Sequence, residues 1–135
     1  MGPKWTPAGV ALLSLCGAAG TCTAADVERG EVIFKKCYAC HSVMPGETGL
    51  TGPNLFGVVG RAVARAPDFD YSDALEALPA RGYDTWTRAA LDAFLRSPEE
   101  LVPGTTMTFA GMPDPGERAE LIAWLARTGV GSGEE

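Results

Sequence analysis

The sequence predicts an all-α domain of four to five helices joined by long loops. Three observations carry that prediction. Apolar residues recur at three- and four-residue steps in the segments 26–38, 86–95 and 115–128, the spacing of one helical face. No stretch alternates apolar and polar residues over a useful strand length. Breakers crowd 42–70, where Pro45-Gly46, Gly49, Gly52-Pro53, Gly57, Gly60 and Pro67 interrupt any regular element.

The 135 residues leave room for one domain. Residues 1–25 read as a secretion signal: Lys4 supplies the charged start and 10–19 is a short apolar run. Small residues at 21–25 then offer cleavage after Ala24 or Ala25. The apolar run is too short to span a membrane. Cys16 and Cys22 leave with this leader, so the domain at 26–135 keeps only Cys37 and Cys40. The exported domain would be periplasmic. The formal charge is -6, and losing Lys4 makes it one unit more negative. With that charge and no basic cluster, the chain is a poor partner for nucleic acid. A domain of about 110 residues buries only about two-thirds of its unfolded surface. A bound apolar group would enlarge its core.

The first helix is expected over 26–38, with Asp26 as N-cap and Val27, Gly30, Phe34 and Cys37 on one face. Gly30 lowers helix propensity, which close approach of another helix would explain. The segment 42–70 reads as ordered loops wrapped over an object, because Leu50, Leu55, Phe56, Val58 and Val59 are interleaved with its breakers; a linker would be polar. A short helix at 71–78 should stop at Pro79. Asp84 or Thr85 caps the next, which buries Trp86, Ala90, Leu91, Phe94 and Leu95 and stops at Ser97-Pro98. A helical piece at 99–102 is cut by Pro103-Gly104. The last helix has Asp114 as N-cap, Pro115 at N1 and Glu117 at N3. Ala119, Leu121, Ile122, Trp124 and Leu125 form its apolar side, and Gly129 ends it.

The chemistry concentrates in Cys37-Tyr38-Ala39-Cys40-His41. C-x-x-C-H is the attachment sequence of a c-type haem. Residues three apart share one helical face, so two thiols can add across the vinyl groups of one porphyrin edge. His41 then follows closely enough to ligate the iron, and it is the only histidine of the chain. A thioredoxin-like pair would need a preceding strand and a βαβ context. Zinc would need a second ligand pair downstream. Neither is visible, while a plain disulfide stays open in an oxidising compartment. For the sixth iron position, Met44 follows His41 too closely to cross the ring. Met107 and Met112 are both distant enough. Met107, set among small hydroxyl residues after a Pro-Gly turn, is the better placed of the two. Each could equally be core filler.

Five motifs then resemble the class I cytochromes c, of the mitochondrial cytochrome c and bacterial cytochrome c2 type. They are Gly30-x-x-x-Phe34-x-x-Cys37-x-x-Cys40-His41; Gly52-Pro53-Asn54-Leu55-Phe56-Gly57; Phe69-x-Tyr71-Ser72-Asp73-Ala74; Pro103-Gly104-Thr105-x-Met107-x-Phe109-Ala110-Gly111; and 117–125, Glu-Arg-Ala-Glu-Leu-Ile-Ala-Trp-Leu. They occur in the family's order over 26–128. The resemblance implies that fold around one haem c held through Cys37 and Cys40, with His41 and Met107 as axial ligands. Pro53 matches the residue whose carbonyl accepts the ligand imidazole N–H. Tyr71 and Trp86 match side chains that bond a haem propionate, and Arg61 and Thr105 match further polar contacts there. Gly30 and Phe34 match residues that pack on the last helix, at Leu121 and Trp124, and Phe109 matches the aromatic shielding the methionine side.

The implied role is that of a monomeric carrier of single electrons, not an enzyme. It would work between membrane redox complexes, such as a cytochrome bc1-type donor and an oxidase or photosynthetic reaction-centre acceptor. The rival is a haem enzyme or gas-binding cytochrome with an open distal site. Three departures stand out. Leu75 replaces an asparagine common near the haem. The segment between Tyr71 and Trp86 is longer than in the mitochondrial form. Glu99, Glu100 and Thr106 occupy places where mitochondrial members carry lysines. The docking charge pattern is therefore different, and basic or largely apolar partners are expected.

Overall fold

The computed structural model describes Gly2 and residues 24–130. The leader reading of 1–25, with Cys16 and Cys22, therefore falls outside the described residues except at Gly2, Ala24 and Ala25. Residues 131–135 are outside them as well. The described residues form five α-helices and one 3₁₀ turn, and their only β feature is an isolated antiparallel bridge between Ala62 and Thr85.

Helix α1 (Ala24–Phe34) begins two residues before the expected cap, so Asp26 lies inside its first turn. It also ends earlier than the periodicity predicts. After Phe34 the bonds tighten to the i→i+3 kind: Lys36 N–H donates to Ile33 at 3.1 Å and Cys37 N–H to Phe34 at 2.7 Å. That tightening turns the following residues away from the α1 axis.

Ser72 caps α2 (Asp73–Glu76) by accepting from Leu75 N–H at 3.2 Å. Pro79 does not act as a stop. It lies in the first turn of the 3₁₀ helix Leu78–Arg81, where a missing N–H costs nothing, and Gly82 at φ 92° closes that turn. The cap of α3 (Arg88–Arg96) is Thr87, not Asp84 or Thr85; its hydroxyl accepts from Ala90 N–H at 3.0 Å. Residues 84–86 are claimed by long-range backbone pairing instead. Trp86 N–H donates to Arg61 O at 2.8 Å, Gly60 N–H to Trp86 O and Val63 N–H to Asp84 O, both at 2.9 Å. Three non-local bonds outweigh one local cap. Trp86 is thus buried from an extended segment and not from a helix.

Ser97-Pro98 ends α3 as expected and opens α4 (Pro98–Leu101). Helix α5 (Pro115–Thr128) follows the sequence reading at its start: Asp114 accepts from Glu117 N–H at 2.9 Å, with Pro115 at N1. Its buried face includes Leu121, Ile122 and Leu125, but also Arg118, which the apolar pattern did not suggest, whereas Ala119 is exposed. Gly129 ends α5 without the left-handed backbone of a glycine cap, since its φ is -102°. Its lack of a side chain serves contact: a Cβ there would lie 2.7 Å from Gly57 Cα.

The pairing of α1 with α5 is the most extensive between helices, and α3 packs on α5 beside it. A Cβ on Gly30 would come within 2.4 Å of both the Glu120 carbonyl oxygen and Trp124 Cβ, so only glycine allows this approach. Phe34 is fully buried there with its ring centroid 4.8 Å from that of Trp124. Burying that ring contributes about 2–3 kcal/mol. Two ion pairs flank the crossing, Lys36–Glu117 at 3.1 Å and Arg29–Glu120 at 3.3 Å. Being exposed on at least one side, they set register more than stability.

Candidate functional site

The residues after α1 form a tight turn centred on one carbonyl. Cys37 O accepts from Cys40 N–H at 3.1 Å and from His41 N–H at 2.9 Å. This turn places both cysteines and the histidine on the wall of one cavity of about 350 Å³, within the span of roughly 300–1,000 Å³ usual for ligand pockets. The two thiols are not joined in a disulfide. Burial pushes the Cys37 thiol up.

His41 is fixed by the loop that faces it. Gly52 N–H donates to Cys40 O and Leu55 N–H to Ser42 O, both at 2.7 Å, tying 40–42 to 52–55. Between these bonds, His41 Nδ1 lies 2.8 Å from Pro53 O. A carbonyl only accepts, so Nδ1 carries the proton and Nε2 keeps its lone pair. Burial holds the imidazole below its usual range, and the Pro53 bond opposes this only in part. The shift favours the neutral ring, the form that binds metal. Gly52 packs directly beneath it: a Cβ there would lie 2.4 Å from His41 Cε1.

The loop between α4 and α5 supplies the methionine wall. Gly104 adopts φ 88°, Thr105 N–H donates to Val102 O at 3.0 Å, and Met107 N–H reaches the Thr105 hydroxyl at 3.3 Å. Met107 and Phe109 line the cavity. Met112 is in the core at 2 % exposure and Met44 lies on the surface at 64 %, neither of them on the cavity wall. Of the two methionines the sequence left open, the fold brings only Met107 to the site and uses Met112 as core.

At another part of the wall, Arg61 donates to Asn54 O at 2.9 Å and to Phe56 O at 3.4 Å, yet its Nε is buried without a partner. An orphaned buried N–H costs about 1–3 kcal/mol. Burial also holds the guanidinium below its usual range. A ligand carrying an acceptor, best an anionic one, would relieve both. Tyr71 lies nearby: its hydroxyl accepts from Ala66 N–H at 3.1 Å, leaving its own proton to donate. Trp86 and Thr105 line the same cavity.

All nine residues named from the sequence line this one cavity: Cys37, Cys40, His41, Pro53, Arg61, Tyr71, Trp86, Thr105 and Met107. Paired thiols, a neutral imidazole with a free nitrogen, a thioether and an orphaned cationic N–H suit a haem with its propionates. The sequence reading missed Gly52 under the imidazole and Arg118 behind the methionine loop. Arg118 had a signal, since it occupies the apolar face of α5 three residues before Leu121.

The chain is 40 % identical over 113 residues to cytochrome c2 of Rhodomicrobium vannielii, spanning 84 % of this chain and 87 % of that protein. It is 40 % identical over 100 residues to cytochrome c2 of Agrobacterium tumefaciens, spanning 74 % and 89 %. The fold superposes on the structure of cytochrome c2 from Rhodospirillum centenum with a TM-score of 0.69. That match is 36 % identical and covers 77 % of this chain and 98 % of that one. No protein-family model matches the sequence. With the attachment turn, the cavity and these likenesses in agreement, the chain belongs to the class I cytochromes c of the cytochrome c2 type, electron carriers with one haem c, held here by Cys37 and Cys40.

Proposed function

We propose that this protein is a soluble, monomeric periplasmic carrier of single electrons, with residues 1–25 as its cleaved leader and 26–135 as the working domain. His41 and Met107 are its axial ligands. The observation that carries this reading is that the only histidine of the chain, with Nε2 free, and one methionine of the three outside the leader line the same cavity. The haem supplies the iron that takes up and returns one electron. The protein's part is to hold geometry. Pro53 fixes the tautomer and plane of His41, and Phe109, Leu75, Leu91 and Phe94 keep the wall apolar. Arg61, Tyr71, Trp86 and Thr105 receive the propionates. Two rigid ligands and a dry wall limit rearrangement when charge changes.

Two measurements test this. The oxidised protein should show the weak far-red absorption band of a thioether–iron(III) bond; an open distal site, as in a gas-binding or peroxidatic cytochrome, lacks it. Acid–acetone extraction of the denatured protein should leave the colour on the polypeptide. Loss of colour would mean that Cys37 and Cys40 carry no thioethers.

The partners are membrane redox complexes, a cytochrome bc1-type donor and an oxidase or reaction-centre acceptor. The cavity rim narrows their character. Thr51, Thr106 and Thr108 are exposed on it, and Lys36 is paired with Glu117. With a net charge of -6 for the whole chain, one unit more negative without Lys4, behind such a rim, an acidic partner is not attracted. Its bimolecular electron-transfer rate with an acidic-faced oxidase should stay flat or rise as salt is added. A steep fall with salt would reveal attraction and contradict this docking face.

A further inference from the structure

The least expected side chain in the fold is Arg118. It stands on the buried face of α5 at 6 % exposure, in line with Leu121, Ile122 and Leu125. Four polar contacts satisfy it. Nε meets Asp92 Oδ1 at 2.7 Å and Nη2 meets Asp92 Oδ2 at 3.5 Å, so α3 supplies the counter-charge. Nη1 donates to two successive carbonyls, Met112 O at 2.8 Å and Pro113 O at 3.0 Å. Those carbonyls end the loop that carries Met107. The same loop end is tied to α3 by Met112 N–H on Leu95 O at 2.8 Å, and Gly111, at φ 107°, lies so close to Arg96 that a Cβ would meet its carbonyl oxygen.

A charge is costly to bury, and an apolar residue would pack this face of α5 at less cost. A lysine would offer a point charge and could not fork between a carboxylate and two carbonyls. The arrangement fits one task, which is locking the loop end at a fixed distance from α3 and α5. We propose that Arg118 is a positioning residue for Met107, holding the Met112 and Pro113 carbonyls so that the loop presents its thioether to the iron and resists displacement, with Asp92 orienting the guanidinium. This rests on the His41/Met107 ligation proposed above.

The test titrates the oxidised, haem-loaded protein with imidazole, which competes with the methionine for iron, and follows the far-red band. Arg118→Met removes two charge-assisted bonds to the loop and should raise imidazole affinity by about tenfold or more. Ile122→Ala is the control: it destabilises the same buried face of α5 but is off the cavity wall and removes no hydrogen bond to the loop, and its imidazole affinity should stay within about twofold of the parent. An unchanged affinity in Arg118→Met, or an equal rise in Ile122→Ala, would overturn the proposal. If Arg118→Met does not mature, Asp92→Asn decides. Asp92 is 44 % exposed and tolerates change; its affinity should rise about threefold, and no rise refutes the proposal. A parent protein without the far-red band would instead defeat the ligation reading itself, a result visible before any variant is made.

Discussion

Replacing Met107 by alanine should abolish the far-red band and lower the midpoint potential by on the order of 0.2 V, a moderate part of the ~0.8 V that axial ligation spans. The thioether is a soft, weakly basic donor that favours the reduced ion, so water or hydroxide in its place stabilises the oxidised one. Covalent attachment does not involve Met107, so the colour should survive denaturation. The paired variant Met112→Ala gives the opposite pattern. Met112 is fully packed and off the cavity wall, so its loss should cost about 2–5 kcal/mol of stability and leave the band in place. Absorption spectra, potentiometry and denaturant titration on the two proteins check both halves. A Met107→Ala protein with unchanged spectrum and potential would remove the ligation reading.

Gly30→Val should be among the most damaging single changes outside the cavity. The new Cβ would meet the Glu120 carbonyl oxygen and Trp124 Cβ at 2.4 Å each. Neither is the far end of a flexible side chain, so the helices themselves must separate. Moving α1 from α5 uncovers Phe34 and loosens Leu121, both at the centre of the core. A cost of about 3 kcal/mol or more is expected, at or above the usual range for overpacking. That is a large share of the ~5–15 kcal/mol that holds a domain of this size. A lowered denaturation midpoint and a reduced yield of haem-loaded protein should report it. Near-wild-type stability would mean that the two helices can separate at little cost.

Much of the molecule was legible in advance because its signals are local. The Asp114-Pro115-x-Glu117 start of α5 and the Ser97-Pro98 break need only neighbouring residues, and both stand where expected. The clearest error lies where distant segments compete. Asp84 and Thr85 are good caps, but residues 60–63 bind that stretch first, and the cap moves to Thr87. Pro79 looks like a terminator and instead opens a 3₁₀ turn that buries Leu78. The four-residue α2, shorter than the expected 71–78, is limited by that same turn.

The cofactor was written in the chain itself. Two thiols and an imidazole at fixed spacing need only one turn of backbone, which any fold can supply, and a single histidine leaves no competitor. The choice between Met107 and Met112 was different in kind. Both are far enough from His41 in sequence, and which one turns inward depends on how the loop is pinned at 111–113 by α3 and by a buried guanidinium. The partnerless nitrogen of Arg61 and the tautomer of His41 are likewise products of assembly. They arise from carbonyls that packing, and not chain order, brings within reach.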